Sequence, residues 1–188
     1  MLPPVTEKIP RRRFLVGGTA LVAFAASLGL ARAAKPQMVT IELFTDAGKS
    51  RGVERLPKIV KSDDEWRAKL SPMSYYVTRR AGTERAFTGA TWNNEAPGIY
   101  RCICCDTALY DSRTKFESGT GWPSFWKPIS KFNVTESNDT SYITVRTAIS
   151  CALCDAHLGH VFDDGPKPTG LRYCMNSAAM RFVPRAVT

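Results

Sequence analysis

Histidine is nearly missing from this chain: 188 residues contain two, His157 and His160. Long apolar runs are equally scarce. The one uncharged stretch of any length, Phe14 to Ala31, is diluted by Gly17, Gly18, Thr19, Ser27 and Gly29. That excludes a polytopic membrane protein and weakens the stretch as a permanent span. No repeat of solenoid length and no low-complexity segment is present. The net charge of +9 is high, but residues 1–33 carry five bases against Glu7 alone. The other 155 residues hold 21 bases and 16 acids, a net of +5, with no basic block. A charge of that size serves solubility, so nucleic acid is not an expected partner.

The N-terminus reads as an address. Arg11-Arg12-Arg13 precedes the apolar stretch, which ends at Ala31-Arg32-Ala33, a small-x-small cleavage site. A basic region, an apolar region and such an end make a secretory signal peptide, and Arg11-Arg12 followed by Phe14-Leu15 resembles the twin-arginine type. The expectation is a cleaved signal over residues 1–33, a mature chain from Ala34, and a periplasmic or exported protein without stable membrane association. A retained anchor is the alternative. Residues 34–61 then form an N-terminal extension and 62–188 the catalytic domain.

In the mature chain, Val39, Ile41 and Leu43 alternate with polar residues as a strand does, up to the turn Asp46-Ala47-Gly48. Ser62-Asp63-Asp64-Glu65 is a capping box, predicting a short helix to about Leu70 that Ser71-Pro72 stops. Beyond it the helical signal fades into turn residues between short extended runs. The clearest of these runs is Tyr142 to Ile149, with Ile143, Val145 and Ile149 on one face. The predicted class is mainly β, antiparallel, with one or two short N-terminal helices.

The six cysteines carry the chemistry. Cys102-Ile-Cys-Cys105 and Cys151-Ala-Leu-Cys154 each contain a C-x-x-C turn. Two such turns, each at the end of a hairpin, would supply the four thiolates of a closed structural zinc site, one ion per chain. Two disulfides, or a local site of Cys151, Cys154, His157 and His160, are the rivals. The two-residue spacing selects Cys105 over Cys104 for the first pair. Cys174 lies in Leu171-Arg172-Tyr173-Cys174-Met175-Asn176. As a strand, this run places Arg172, Cys174 and Asn176 on one face and Leu171, Tyr173 and Met175 on the other. The first set puts a thiol beside a guanidinium that favours its thiolate, with both histidines a short loop upstream. A buried cysteine acting as a small hydrophobe is the plainer alternative.

These residues also resemble a family. Gly119-Thr-Gly-Trp-Pro-Ser-Phe125, Cys154-Asp-Ala-His-Leu-Gly-His-Val-Phe162 and Arg172-Tyr-Cys-Met-Asn-Ser177 are similar to the motifs of peptide-methionine (R)-S-oxide reductases, the MsrB type. Gly82-Thr83-Glu84, Phe87-Thr88-Gly89 and Tyr100 to Phe116 extend the likeness over roughly Ser62 to Val183. The resemblance implies two antiparallel sheets around the active face, zinc on Cys102, Cys105, Cys151 and Cys154, and Cys174 as nucleophile. The substrate would be methionine-R-sulfoxide in oxidised proteins, and the reductant an external thiol such as a thioredoxin-like donor.

The remaining roles follow from the chemistry so implied. A sulfoxide is reduced when a soft nucleophile attacks its sulfur while its oxygen is protonated, and His160 with His157 is the one imidazole source. Asn176 can hold the attack geometry, Asp164 can orient a histidine, and Arg172 favours the thiolate. Trp122 would receive the substrate methyl group, with Phe125 as a second substrate-binding residue. One departure stands out. Many relatives carry a resolving cysteine where this chain has Thr120, so recycling must use Cys104, another route or an outside thiol. A thiol–disulfide oxidoreductase and a non-catalytic zinc module are the competing functions; no thioredoxin-like βαβ pattern surrounds either C-x-x-C pair.

Overall fold

The alternation of Val39, Ile41 and Leu43 forms β1 (Met38–Phe44), which turns back as β2 (Ser50–Pro57). The computed structural model describes residues 35–140 and 145–185. The expected signal segment, and residues 142–144 of the expected strand, lie outside those ranges. β2 had no signature in the sequence because it buries neither face, and a strand without a buried face needs no period. The hairpin belongs to the expected N-terminal extension, yet it joins the compact unit that begins at Lys35. Ile41 is buried in the main core. Asn133, fully buried, accepts from the Glu42 amide at 2.9 Å and donates to the carbonyls of Glu42 and Ala108 at 2.9 and 2.8 Å. A buried side-chain amide satisfied in this way fastens the hairpin to the rest.

Ser62 and Glu65 do close a capping box at the start of α1 (Asp63–Lys69). Ser71-Pro72, expected only as a stop, also opens a second helix, α2 (Pro72–Arg80). Ser71 caps the Ser74 amide and Pro72 takes the first turn, where its missing N–H costs nothing. Ala81, in the left-handed region at φ 51°, ends this helix. Trp66 of α1 is buried, with the Arg79 guanidinium 4.8 Å above its ring.

Among the described residues nine further strands follow: β3 (Gly98–Cys102), β4 (Ala108–Asp111), β5 (Lys115–Phe116), β6 (Ser124–Phe125), β7 (Val134–Asp139), β8 (Arg146–Cys151), β9 (His157–Phe162), β10 (Arg172–Met175) and β11 (Met180–Pro184). All strand pairs are antiparallel. One sheet runs β5-β6-β10-β9-β8-β7 and another β11-β3-β4, as the two-sheet expectation requires, with the β1-β2 hairpin as a small third. Between the two larger sheets, Phe125 stacks on Tyr110 at 4.4 Å between centroids and meets Tyr100 edge-on at 4.9 Å. The strand expected from Tyr142 is described from Arg146, and Val145, expected to share a face with Ile149, is 68% exposed. Ile149 is fully buried.

Candidate active site

Two groups of sulfur atoms stand apart in the fold. The first is at the ends of the β3-β4 and β8-β9 hairpins, where the two C-x-x-C turns have the same backbone construction. The Asp106 amide donates to the Cys102 carbonyl and the Asp155 amide to the Cys151 carbonyl, each at 2.9 Å. Asp106 and Asp155 both take positive φ, at 67° and 57°. The sulfurs of Cys102, Cys105, Cys151 and Cys154 lie within 4.8 Å of one another and could hold a metal ion. No disulfide joins the six cysteines in this structure, and His157 and His160 lie elsewhere. Cys104 is buried beside this group, its carbonyl accepting from Lys69 Nζ at 2.6 Å.

The second group is built on β10 and its neighbours. Tyr173 and Met175 point into the core, while Cys174 is half-buried on the opposite face, as the alternation predicted. Register then supplies its neighbours: His160 on β9 and Ser124 on β6 are the cross-strand partners of Cys174. Residues directly opposite each other in antiparallel strands have Cβ atoms about 5 Å apart. Gly159 makes the close approach of β9 and β10 possible, since a Cβ there would sit 2.1 Å from the Cys174 carbonyl oxygen. The result is a shallow pocket of about 110 Å³ whose wall includes Thr83, Trp122, His160, Phe162, Cys174 and Asn176.

The electrostatics of the thiol differ from expectation. Arg172 lies close enough to favour the thiolate, and the hydroxyls of Thr120 and Ser124 act in the same direction. Burial outweighs all three, so the Cys174 thiol is held above its ordinary value. Arg172 is itself fixed: its Nε and a terminal nitrogen donate to the two Asp164 oxygens at 2.8 Å each, and its guanidinium lies 4.4 Å above the Phe162 ring. Asp164, expected to orient a histidine, therefore orients the arginine.

Another carboxylate takes the histidine. His160 Nε2 is 2.8 Å from Asp139 on β7, whose same oxygen accepts from Arg146 at 2.6 Å. Burial still keeps His160 below the usual imidazole value, against the opposing pull of Asp139. His157 does not line the thiol pocket. It faces a separate cleft beside Arg79, Ser150 and Asp139, with its ring 5.2 Å from that of His160. Burial, and secondarily the neighbouring His160, pushes His157 down to about 4.

Asn176 borders the pocket, but its amide is committed to backbone: Oδ1 accepts from the Glu84 amide at 2.9 Å and Nδ2 donates to the Leu158 carbonyl at 3.0 Å. Its place is that of a brace. Trp122 stands at the pocket wall, its indole N–H donating to the Glu84 carbonyl at 3.1 Å. Phe125 requires correction as a substrate-binding residue, being fully buried between Tyr100 and Tyr110. On a strand as short as β6 the neighbouring side chains face opposite ways, so Ser124 meets Cys174 while Phe125 enters the core.

Three residues at the site escaped the residue-by-residue reading. Glu84, buried, accepts from the amides of Ser177 and Ala178 at 2.6 and 2.8 Å and so holds the turn that follows β10. Phe162, and not Phe125, stands with Trp122 as the second aromatic side chain of the pocket. Asp139 fixes the histidine. Glu84 and Phe162 fall inside stretches that carried the family resemblance, but nothing local marks Asp139.

Comparison with known proteins agrees with this arrangement. A family model described as the SelR domain matches residues 70–184. Peptide methionine sulfoxide reductase B1, chloroplastic, of Arabidopsis thaliana is 60% identical over 121 residues, which are 64% of this chain and 59% of that protein. Peptide methionine sulfoxide reductase MsrB of Hahella chejuensis is 55% identical over 127 residues, 68% of this chain and 91% of its own length. The namesake of Pseudomonas putida is 56% identical over 130 residues, 69% and 98% respectively. The chain thus spans little more than half of the chloroplast protein and nearly all of the two bacterial ones. The matched residues contain both C-x-x-C turns, the thiol pocket and all the residues that brace it, and the chain belongs to the SelR domain family of peptide methionine sulfoxide reductases B.

Proposed function

We propose that this chain reduces methionine-R-sulfoxide in oxidised proteins to methionine, with Cys174 as nucleophile. The observation that carries the reading is the β10 register, which sets Cys174 opposite His160 in one pocket walled by Trp122 and Phe162. The Cys174 thiolate attacks the sulfoxide sulfur, and the oxygen takes up one proton and transfers to the cysteine. The products are methionine, whose sulfur has gained two electrons, and a Cys174 sulfenic acid, whose sulfur has lost two. Because burial keeps Cys174 protonated at rest, the thiol proton itself is available to the oxygen, with His160 as the adjacent carrier. Arg172, held by Asp164, favours the thiolate as it forms. Trp122 offers an aromatic face to the substrate methyl group, and Asn176 and Glu84 hold the pocket's floor.

The four-cysteine group is proposed as a structural zinc site. Zinc in a tetrahedron of sulfurs at about 2.3 Å requires sulfur–sulfur separations of about 3.8 Å. Cys102 and Cys154 stand 3.7 Å apart and Cys105 and Cys151 3.5 Å, in keeping with such a set. The ion would tie the two hairpin ends together. No step of the reaction passes through it.

Recycling is proposed to use an external thiol, in a thioredoxin-like donor or its equivalent. Two such thiols convert the sulfenic acid to thiol and water and leave as a disulfide. Cys104 is buried among zinc ligands and α2, whereas Cys174 lies among Thr120, Ser124 and His160. One turnover without reductant, followed by dimedone trapping, tests this. Dimedone on Cys174 in both the parent and the Cys104→Ser variant is the expected result, and a Cys104–Cys174 disulfide would overturn it. The export reading rests on the sequence of residues 1–33, and loss of export when Arg11 and Arg12 both become Lys is its test.

A further inference from the structure

Beside Cys174, on the side away from His160, three hydroxyl groups form a continuous chain. Thr120 Oγ1 lies 3.9 Å from the Cys174 sulfur, within the longer reach of a sulfur contact. Ser118 Oγ lies 2.8 Å from Thr120 Oγ1 and 2.8 Å from Ser124 Oγ. Ser124, fully buried, is also 3.2 Å from the Trp122 carbonyl oxygen. Each hydroxyl has one proton to donate and can accept from either side, whereas a carbonyl only accepts.

Two polarities satisfy this chain with no heavy atom moving. In the first, Ser124 donates to the Trp122 carbonyl, Ser118 to Ser124, Thr120 to Ser118, and the Cys174 S–H donates to Thr120. That arrangement suits a neutral thiol. In the second, Ser124 donates to Ser118, Ser118 to Thr120, and Thr120 to the sulfur. That arrangement suits a thiolate. A carbonyl at the far end cannot take up a proton, so the chain re-aims its hydrogens without carrying charge away. The thiol proton must leave on the pocket side, where His160 and the substrate oxygen lie.

We propose that Ser118, Thr120 and Ser124 form a reversible hydroxyl chain that keeps the Cys174 sulfur hydrogen-bonded both as thiol and as thiolate. The inference rests on the reading of Cys174 as nucleophile and gives Thr120 a role beside it. A half-buried thiolate gains from a directed donor, because a hydrogen bond to an ionised group is about twice as strong as a neutral one. The other charged and titratable groups around the sulfur are Arg172 with its partner Asp164, His160 with Asp139, and Arg146 on the pocket wall. Thr120 touches the reacting atom, and Ser124 also acts on it from across the strand pair; Ser118 acts through Thr120 and is a positioning residue.

The chain makes predictions of different sign for different links. Thr120→Val keeps the volume and removes both the donor and the acceptor. Thr120→Ser keeps the hydroxyl. Ser118→Ala leaves Thr120 free to donate to the thiolate while removing the acceptor that the thiol polarity needs. The experiment is alkylation of Cys174 by iodoacetamide across pH in the full zinc-loaded protein, read at the Cys174 peptide by mass spectrometry. The half-point should rise by about one pH unit in Thr120→Val, a tenfold loss of thiolate below it. Thr120→Ser should overlay the parent, and Ser118→Ala should not rise. A Thr120→Val profile that overlays the parent would overturn the proposal, as would a Thr120→Ser profile displaced as far as that of Thr120→Val. The measurement does not use turnover, so it stands apart from the function reading, which fails separately if Cys174→Ser retains reductase activity.

Discussion

The four-cysteine group and the Cys174 pocket are both sulfur sites, yet they are built in opposite ways. The first is made by two copies of one local device, a C-x-x-C turn closed by an Asp at positive φ at the tip of a hairpin. Each turn would present its pair of thiols whatever the rest of the chain did. The second is made by register. Cys174, His160 and Ser124 come from three strands and meet because β10 pairs β9 on one side and β6 on the other. Around it, two polar groups are held from far along the chain, His160 by Asp139 and Asn176 by Glu84 and Leu158, while Arg172 is held from nearer by Asp164. A closed site serves folding and can be local. A reactive site needs one exposed sulfur and several fixed neighbours, which only tertiary pairing supplies.

That difference can be broken by substitution, beginning with the largest expected effect. Cys174→Ser should lower kcat/KM on a methionine-R-sulfoxide peptide by at least about 10³-fold, because a hydroxyl replaces the attacking thiolate. Zinc content and thermal midpoint should stay at parental values, as measured by atomic absorption and circular dichroism. Cys151→Ser should do the reverse at the other sulfur site. It should lose the zinc and cost at least about 3 kcal/mol of stability in a denaturant titration, since binding energy of a structural metal is folding energy. Equal stability with and without zinc would contradict the assignment of that group.

Smaller effects probe the register-built site. Asp139→Asn should reduce kcat about 10- to 100-fold with little change in KM, since the residue acts through His160 and not on the substrate. It should also lower the imidazole pKa of His160, from which a favourable charge is removed, as read by NMR titration. Near neutral pH the mildest effect is in the pH dependence of stability, which grows only as pH is lowered. His157 is buried neutral, with its folded value near 4 and its unfolded value near the ordinary 6.5. The unfolded chain therefore binds more protons between those limits, and stability falls as pH is lowered from 6.5 towards 4. This one group contributes a slope of up to about 1.4 kcal/mol per pH unit. His157→Gln should flatten that window in urea titrations at successive pH values.

Legibility in the sequence follows the same division. The capping box at Ser62, both C-x-x-C turns and the alternation along Leu171 to Asn176 were readable because each is decided within a few residues. Ser71-Pro72 was half-readable: the same pair that ends α1 caps and opens α2, and a proline does not say which side of it is helical. β2 was unreadable because it hides no face. The core position of Phe125 was unreadable because it depends on β6, which sends the adjacent Ser124 and Phe125 to opposite sides. Asp139 was unreadable altogether. It reaches His160 across β8, from a strand whose own sequence, Val134–Asp139, shows no buried face. Asp164 lies nearer to His160 in sequence, but its geometry serves Arg172.

The central claim is that Cys174 and its pocket reduce one epimer of methionine sulfoxide. A pocket that fixes methyl group, oxygen and backbone around a single sulfur accepts one chirality only. The direct measurement follows the two epimers of a blocked methionine sulfoxide side by side, with zinc-loaded protein and dithiothreitol as reductant. The account predicts that the R epimer is consumed to completion while the S epimer persists. Consumption of both at similar rates, of the S epimer alone, or of neither would contradict it.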